Sequence, residues 1–278
     1  MEQGNTRLHY PHNMVNTIIN EDCLVAMRDI PDGSIDMICC DLPYGVLHRG
    51  NPHAQWDRMI PFEPLWEQYE RIIKKNGAII LFWHGVFTAK CILSNERLFR
   101  YSLVWDKRRV TGFLNANRMP MRCHEDILVF YKRLPKYNPQ YTYGEPNHSR
   151  GNGKHKDTNS CYGQYGHKYQ GRTYEDVPRV ASTVPSGMKL PRSIVSIKKE
   201  HERTVYHPTQ KPVDLLRWLI RTYTDEGDIV LDNCCGSGST GVAAIKEKRR
   251  FILMEQSPEY CEIARKRVMD ELREPTLF

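Results

Sequence analysis

Apolar residues along this chain are grouped into short continuous runs, and polar residues bound each run. The main runs cover residues 35–40, 78–83, 101–105, 126–131, 228–232 and 251–254. A strand that is apolar at nearly every position is buried on both faces, as in a parallel sheet covered by helices. The pattern therefore predicts buried strands at these positions.

Amphipathic stretches that alternate with the apolar runs predict helices. They cover residues 61–75, 212–223, 240–248 and 257–272. We expect Pro212 in the first turn of its helix, and Ser257 as the N-cap of the last helix with Pro258 behind it. Strands that alternate with helices predict an α/β fold, doubly wound, with a mostly parallel sheet.

One segment, residues 133–173, departs from this pattern. It contains six tyrosines, six glycines, seven lysines or arginines and only two acidic residues, with Leu134 as its one large aliphatic side chain. Such a composition cannot build a core of its own. The segment is therefore either a solvated surface loop or a nucleic-acid contact loop, in which Lys and Arg bind phosphates and Tyr stacks on bases.

The bulk composition suits one domain with a large insertion, since 40 % of the 278 residues are hydrophobic. No apolar run approaches the ~20 residues of a membrane span, and the N-terminal residues lack a signal-peptide core. We therefore expect a cytoplasmic protein with no membrane partner. A net charge of +7 and a pI near 8.9 permit nucleic-acid binding without proving it.

Nine cysteines lie mostly inside apolar runs and form no C-x-x-C pair. This usage indicates reduced thiols in a cytosolic protein. Zinc ligation by Cys161 with His155 or His167 is an alternative, but the spacing fits no zinc pattern. We therefore expect no metal site.

A glycine-rich turn lies between a predicted strand and a predicted helix. The strand ends at Asp232, the turn contains Gly236, Gly238 and Gly241, and the next strand ends at Glu255. Glycines let the backbone lie against a ligand, and the acid can accept hydrogen bonds from ribose hydroxyls. The turn predicts a nucleotide-type cofactor. By itself it fits NAD and S-adenosylmethionine (SAM) about equally, and a packing turn without a ligand is the remaining alternative.

The run 35–40 ends abruptly in the tetrapeptide Asp41-Leu42-Pro43-Tyr44. Because ligands of a doubly wound sheet bind at the carboxyl ends of strands, the tetrapeptide and the glycine turn can line one crevice. The carboxylate of Asp41 and the carbonyl of Leu42 are candidate acceptors for the two hydrogens of an exocyclic amine on a base. Pro43 stiffens the turn, and an exposed Tyr44 can stack on a base extruded from duplex DNA. Alone, the tetrapeptide also fits an ordinary strand-to-loop turn.

The order of these motifs resembles that of the DNA amino-methyltransferases of the β arrangement, in which the catalytic tetrapeptide precedes the SAM motif. The motifs are "DLPY", "LDNCCGSGSTG" and, before the latter, "HPTQKP" (207–212). "RCHEDILVFYK" (122–132) and "QWD" (55–57) are also similar. The resemblance covers residues 15–270 apart from 133–205. It implies the SAM-dependent methyltransferase fold with a circularly permuted motif order, and SAM as cofactor.

The resemblance further implies one methyltransferase domain in two parts. Residues 1–132 form the catalytic half, 206–278 form the SAM-binding half, and 133–205 form an inserted target-recognition region. This favours the nucleic-acid interpretation of the tyrosine-rich segment. Double-stranded DNA is then the expected partner, and the family also allows a homodimer and a cognate restriction enzyme.

Individual site residues follow from the resemblance. The tetrapeptide from Asp41 to Tyr44 is catalytic. Eight positions match cofactor-binding residues of the family: Asp22 at the adenine, Thr209, Gln210 and Lys211 near the methionine end, Asp232, Gly236 and Gly238 in the turn, and Glu255 at the ribose.

Two positions depart from the family pattern. Leu42 stands where Pro is usual, which should reduce rigidity but keeps the carbonyl acceptor. The family usually has Asp-Pro-Phe before Gly-Ser-Gly, whereas this chain has Asp232-Asn233-Cys234-Cys235. An aromatic contact with the cofactor is therefore missing, and affinity should be weaker unless another residue supplies the contact.

The first tetrapeptide residue bears on the target base. Asp at this position resembles the adenine-modifying members and Ser is commoner in the cytosine N4 members, so we expect adenine N6, with cytosine N4 as the alternative. Methyl transfer to RNA or protein and a non-catalytic nucleic-acid-binding protein also stay open. The intact Asp41, Tyr44 and Glu255 argue against the non-catalytic reading. For His124 and His207, structural hydrogen bonding is favoured over a general-base role.

Overall fold

The computed structural model describes residues 14–46, 57–144, 185, 187–200, 206–207 and 209–273. These residues fall into two compact units, one within 1–138 and 193–278 and the other within 139–192. The larger unit contains an eight-stranded sheet. Its strands are β1 (Thr17–Ile19), β2 (Ile35–Cys40), β3 (Ile73–Trp83), β4 (Phe99–Thr111), β5 (Arg122–Phe130), β8 (Ile194–Ser196), β9 (Ile229–Asp232) and β10 (Arg250–Met254). In the smaller unit, β6 (Thr142–Tyr143) pairs antiparallel with β7 (Met188–Lys189).

The strand order of the large sheet is β1-β10-β9-β2-β3-β5-β4-β8. The first five strands in this order are mutually parallel, which confirms the predicted mostly parallel α/β sheet. Strand β5 is antiparallel to both β3 and β4. Continuous apolarity at 126–131 thus reflects burial on both faces in the middle of the sheet, although this strand pairs antiparallel with its neighbours.

Helices cover the two faces of the sheet. They are α1 (Cys23–Ala26), α2 (Phe62–Ile72), α3 (Val86–Ser94), α4 (Val213–Tyr223), α5 (Ser239–Lys246) and α6 (Pro258–Arg273). Buried residues of α1, α2 and α3 form one core with one face of the sheet, and those of α4, α5 and α6 form a second core with the other face. The fold is therefore a three-layer sandwich, as the doubly wound prediction requires.

Most predicted elements are confirmed with shifted ends. Helix α2 stops at Ile72 because β3 begins at the next residue, so the predicted helix 61–75 is too long. Pro212 occupies the N-cap of α4 and precedes the first turn. Ser257 caps α6 as predicted, since its Oγ accepts a 3.4 Å hydrogen bond from the N–H of Tyr260.

The topology of the sheet determines which of its edges can form a binding site. From β2 the chain continues to β3 on one side, whereas β9 continues to β10 on the other, so the strand order reverses between β2 and β9. The carboxyl ends of these parallel strands share one edge, and ligands of such sheets bind at this reversal. Asp41, Asp232 and Glu255 stand at the ends of β2, β9 and β10.

Most of the predicted insert 133–205 lies outside the described residues, and the zinc candidates Cys161, His155 and His167 lie outside them entirely. In the described part of the insert range, β8 pairs with β4 and thus belongs to the large sheet. Among the residues the structure describes, the cysteines are free and no cluster of His, Cys, Asp or Glu is arranged to hold a metal ion. Across the same residues, every helix is too short or too polar to cross a bilayer.

Candidate active site

A cleft of about 360 Å³ opens at the edge where the strand order reverses. It joins the tetrapeptide to the glycine turn, which lie far apart in the sequence. Its lining includes nearly all the predicted site residues, namely Asp22, Asp41, Leu42, Pro43, Tyr44, Thr209, Gln210, Lys211, Asp232, Gly236 and Glu255. Gly238 is the one predicted residue that lies behind the lining.

The glycine turn needs its glycines for two different reasons. Gly236 and Gly238 have φ angles of +50° and +79°, which other residues rarely adopt. A Cβ on Gly238 would also lie 2.8 Å from the Cβ of Ala264 on α6. At Gly241, a Cβ would lie 2.7 Å from a methyl carbon of Leu253, so this glycine lets α5 pack closely on β10. Gly238 and Gly241 therefore shape the turn from behind the cleft.

Asp232 stabilises the glycine turn through two hydrogen bonds. Its carboxylate accepts hydrogen bonds from the Thr240 hydroxyl at 2.5 Å and the Cys234 N–H at 3.1 Å. Burial raises the pKa of Asp232 to about 6, although these hydrogen bonds oppose the shift. Thr240 was not foreseen from the sequence, because a hydroxyl in a helix gives no local sign of a buried partner.

Glu255 joins the turn to the end of β10. Its two carboxylate oxygens accept hydrogen bonds from the N–H of Gly236 at 2.9 Å and of Ser257 at 2.8 Å. Burial raises the pKa of this carboxyl, with the backbone hydrogen bonds opposing the rise.

Asp22 and Tyr260 also line the cleft. The Oδ1 of Asp22 caps the short helix α1 by accepting a 2.8 Å hydrogen bond from Leu24 N–H. The ring of Tyr260 packs edge-on against His207, with centroids 4.4 Å apart. Both rings line the cleft, so aromatic surface is present here although the motif lacks its usual Phe.

The segment before α4 is tied to the glycine turn through Gln210. The Oε1 of Gln210 accepts hydrogen bonds from the Ser237 hydroxyl at 2.8 Å and the Tyr206 N–H at 3.0 Å. His207 lies over Gly236, and its Nδ1 is 3.0 Å from the Thr209 hydroxyl. Burial and the nearby Lys211 lower the pKa of His207 to about 4, so the imidazole is neutral. His124 is exposed on β5 and is not among the residues that line the cleft.

The second and fourth residues of the tetrapeptide pack against the rest of the protein. Leu42 is buried, and Tyr44 is half-buried rather than exposed as predicted. The Tyr44 ring stacks on Trp83 and on Phe87, with centroid distances of 5.0 and 5.7 Å. The Trp83 and Phe87 centroids are only 6.2 Å apart, so the two rings do not lie on directly opposite faces of Tyr44.

Asp57 fixes the loop that follows the tetrapeptide. Its Oδ1 accepts hydrogen bonds from the N–H of Tyr44 at 2.8 Å and of Gly45 at 3.0 Å. Its Oδ2 accepts a third, at 2.7 Å, from Val46 N–H. The side chain is only 2 % exposed. The "QWD" segment was noted for its resemblance, but its sequence gave no indication of this role.

A chain of buried ion pairs runs from the tetrapeptide into the sheet. The Nζ of Lys211 lies 2.5 Å from Asp41 Oδ2 and 3.4 Å from Glu125 Oε2. The Nζ of Lys107 lies 2.9 Å from the other oxygen of Glu125. Sequence reasoning assigned Lys211 to the methionine end of the cofactor and left Glu125 and Lys107 without a role. The structure places Lys211 beside Asp41, Glu125 beside Lys211, and Lys107 beside Glu125.

The ionisation states of Lys211 and Glu125 depend on their burial and on the charged side chains beside them. Burial lowers the pKa of Lys211, but Asp41 and Glu125 outweigh burial and leave it above its usual value. Burial raises the pKa of Glu125, but Lys211 and Lys107 outweigh it and bring the value down to about 2. Glu125 is therefore ionised, and one buried ammonium serves two carboxylates.

The model of the DNA methylase family N6_N4_Mtase matches residues 35–266, most of the chain and both sides of the cleft. The chain belongs to the N6/N4 DNA methylase family. The family assignment confirms the resemblance seen in the sequence. In this DNA methylase the tetrapeptide and the glycine turn follow neighbouring strands of the sheet, β2 and β9.

Curated relatives of this DNA methylase include the type II methyltransferase M.BglII of Bacillus subtilis, which is 28 % identical over 92 % of this chain and 69 % of its own length. The DNA adenine methyltransferase YhdJ of Escherichia coli (strain K12) is 27 % identical over 92 % of this chain and 83 % of its own length.

Solved structures of similar fold agree with the architecture. The M1.HpyAVI–SAM complex has a TM-score of 0.57 and 21 % identity, and the match covers 91 % of this chain and 98 % of that chain. The cytosine-N4-specific PvuII DNA methyltransferase has a TM-score of 0.61 and 16 % identity over 90 % of this chain and 85 % of that chain. These matches confirm the predicted methyltransferase fold, and a SAM complex among them agrees with the expected cofactor.

Proposed function

We propose that this DNA methylase transfers a methyl group from SAM to the exocyclic amine of a base extruded from double-stranded DNA, and that the base is adenine and the atom N6. One observation carries the proposal. The carboxylate of Asp41 and the ring of Tyr44 line the same cleft as the glycine turn and Glu255. Residues that can bind an amine and residues that can bind a nucleoside cofactor therefore line one cleft.

The cleft residues fit SAM by their chemistry. Gly236 brings backbone to the cleft surface, Glu255 offers acceptors for ribose hydroxyls, and Tyr260 and His207 supply aromatic surface. The resemblance implies that Asp22 would contact the adenine ring of SAM. When bound, SAM supplies a methyl group activated on a sulfonium.

Asp41 and the Leu42 carbonyl would hold the two hydrogens of the target amine, which favours a pyramidal, nucleophilic nitrogen. The amine nitrogen would gain the methyl carbon as the bond from that carbon to the sulfur of SAM breaks. The methylated nitrogen then carries a positive charge and loses one proton to Asp41 or to water. Tyr44 contributes a ring face for the extruded base.

Lys211 contacts Oδ2 of Asp41, so Oδ1 can accept a hydrogen of the amine, and Lys211 can in addition yield part of its contact with Oδ2. Glu125 provides the alternative partner, because Lys211 already lies 3.4 Å from it. We propose that Lys211 moves toward Glu125 as the amine arrives. The total charge of the buried cluster then stays constant while the base binds.

The choice of adenine rests on the first tetrapeptide residue, Asp41, which resembles the adenine-modifying members. The name of the relative YhdJ, an adenine methyltransferase, supports it. The cytosine-N4-specific PvuII enzyme shares the fold, so cytosine N4 is the second candidate. The type II name of M.BglII favours a role beside a cognate restriction enzyme.

The test uses plasmid DNA from a methylase-free host, incubated with the protein and SAM, then digested to nucleosides for mass spectrometry. We expect N6-methyladenine, and Asp41→Ala protein should give none. N4-methylcytosine without N6-methyladenine would reverse the choice of base. Parallel incubations with RNA and with total protein, using methyl-labelled SAM, distinguish the remaining substrates.

A further inference from the structure

The connection between β4 and β5 projects from the sheet. We call residues Gly112–Met121 the β4–β5 tip. Every residue from Val110 to His124 is exposed, and Phe113 and Leu114 are 79 % and 94 % exposed. Met119 and Met121 add further exposed apolar surface. Large apolar side chains this exposed, gathered in one short loop, indicate a surface that is covered when the protein works.

The tip and the strand ends that carry it are basic. Residues 108–122 contain four arginines and no acid, and Arg108, Arg118 and Arg122 are exposed. An apolar wedge flanked by arginines matches duplex DNA, because the arginines bind phosphates while apolar side chains enter between base steps. A second copy of this chain is a poorer partner, since two identical basic tips would repel each other.

The tip rises from the rim of the cleft. Thr111 pairs with Arg122 across its base, and the Thr111 hydroxyl donates a 3.3 Å hydrogen bond to the Arg122 carbonyl. Both residues line the cleft that holds Asp41. A DNA duplex that presents a base to Asp41 would therefore lie within reach of the tip.

Backbone irregularities mark the base of the tip. The pairing of β4 with β5 shifts register between Asp106 and Thr111. Arg108 within this shift and Gly112 just after it have φ angles of +50° and +90°. Such bulges bend a strand and redirect its side chains, and they are common beside active sites. Positive φ in a non-glycine residue such as Arg108 is uncommon and indicates a constrained shape.

We infer that the β4–β5 tip inserts Phe113 and Leu114 into duplex DNA beside the target base, and that this insertion stabilises the extruded state of the base. The inference rests on the proposed function and adds the element that opens the duplex. Extrusion costs a few kcal/mol of unstacking and unpairing, and that cost is lower when the base is already unpaired. A tip with this role is needed for paired DNA and dispensable for a base that has no partner.

The experiment compares the double variant Phe113→Ala/Leu114→Ala with wild type and with Leu93→Ala, which removes a 68 % exposed leucine from α3. The methylated site is first mapped on plasmid DNA with wild-type protein. Two synthetic duplexes then carry that site, one fully paired and one with an abasic residue opposite the target base. Thermal melting and SAM calorimetry confirm that each variant is folded.

We expect the double variant to lose about tenfold to a hundredfold in kcat/KM on the paired duplex, matching a few kcal/mol of extrusion cost. On the abasic duplex it should stay within about threefold of wild type, and Leu93→Ala should resemble wild type on both. An equal loss on both duplexes, or none on either, would overturn the insertion role. So would a wild-type dimer in sedimentation that the double variant converts to monomer. Wild-type protein inactive on all DNA would instead contradict the proposed function itself.

Discussion

The Nζ of Lys211 lies 2.5 Å from Oδ2 of Asp41, the residue proposed to hold the target amine. The two residues come from opposite halves of the sequence. They meet because Gln210 ties the segment before α4 to the glycine turn, which follows β9, the neighbour of β2 in the sheet. Glu125 stands on the far side of Lys211. Lys211 is therefore a counterion shared between Asp41, the carboxylate proposed to act on substrate, and Glu125, which has no proposed contact with substrate.

Asp41→Ala should abolish methyl transfer and leave SAM binding nearly unchanged. The carboxylate acts on the amine, so its loss raises the barrier of the chemical step and hardly affects the cofactor. Loss of one placed polar group in an active site lowers kcat by about 100-fold or more. Turnover assays with methyl-labelled SAM and calorimetry of SAM binding measure the two effects. Turnover above about a tenth of wild type would remove Asp41 from the chemistry.

Lys211→Met should shift the acid side of the pH–activity profile to higher pH. Asp41 acts as an ionised carboxylate, so activity falls as pH drops through its pKa. Burial raises that pKa and Lys211 lowers it, and a lost neighbouring cation raises a carboxyl pKa by about 1–3 units. The profile of kcat/KM against pH reports this value.

Glu125→Gln is the matched test of the shared-counterion role. The negative charge of Glu125 raises the pKa of Asp41, so its removal should move the acid limb to lower pH, opposite to Lys211→Met. The double variant should lie between the two single variants. If both single variants shift the limb in the same direction, the effect is general destabilisation and not electrostatics.

The predictable part of the site comprises residues at strand ends. Asp41, Asp232 and Glu255 each follow an apolar run, and an abrupt change from apolar to acidic residues marks both the end of a strand and the edge where ligands bind. The glycine turn was predictable because positive φ and close packing restrict its positions to glycine. These local signals were sufficient to infer the fold and the cleft.

The remaining part depends on contacts between distant segments. Glu125 and Lys107 lie within β5 and β4, where a charged residue resembles a solvent-facing position, and their pairing with Lys211 leaves no local pattern. Tyr44 was expected to be exposed because its packing partner Phe87 lies on α3, a helix that was not predicted. The three-residue strand β1 is too short for periodicity to reveal, and pairing with β10 stabilises it.

Asp57→Asn should lower kcat while leaving SAM affinity within about twofold of wild type. The Asn side chain has only one acceptor oxygen and cannot accept hydrogen bonds from all three backbone N–H groups. The loop after Tyr44 therefore loses contacts that hold the tetrapeptide in place. A misplacement of about 1 Å can cost about 100-fold in rate. Asp29→Asn, at an exposed position with the same charge change, is the control. An unchanged kcat would show that Pro43 and the Tyr44 stack hold the loop without Asp57.

Glu255→Ala should weaken SAM binding by about 1.5–3 kcal/mol, the usual range for hydrogen bonds to a charged group. Part of the loss comes from the ribose acceptors, and part from the N–H groups of Gly236 and Ser257, which lose their partner. Glu255→Gln keeps one acceptor oxygen and should lose less. Glu259→Gln, an exposed position four residues further along, changes the charge equally and should bind SAM as wild type does. Calorimetry measures all three variants. If Glu259→Gln weakened binding as much as Glu255→Gln, long-range charge would explain the effect and the ribose contact would be excluded.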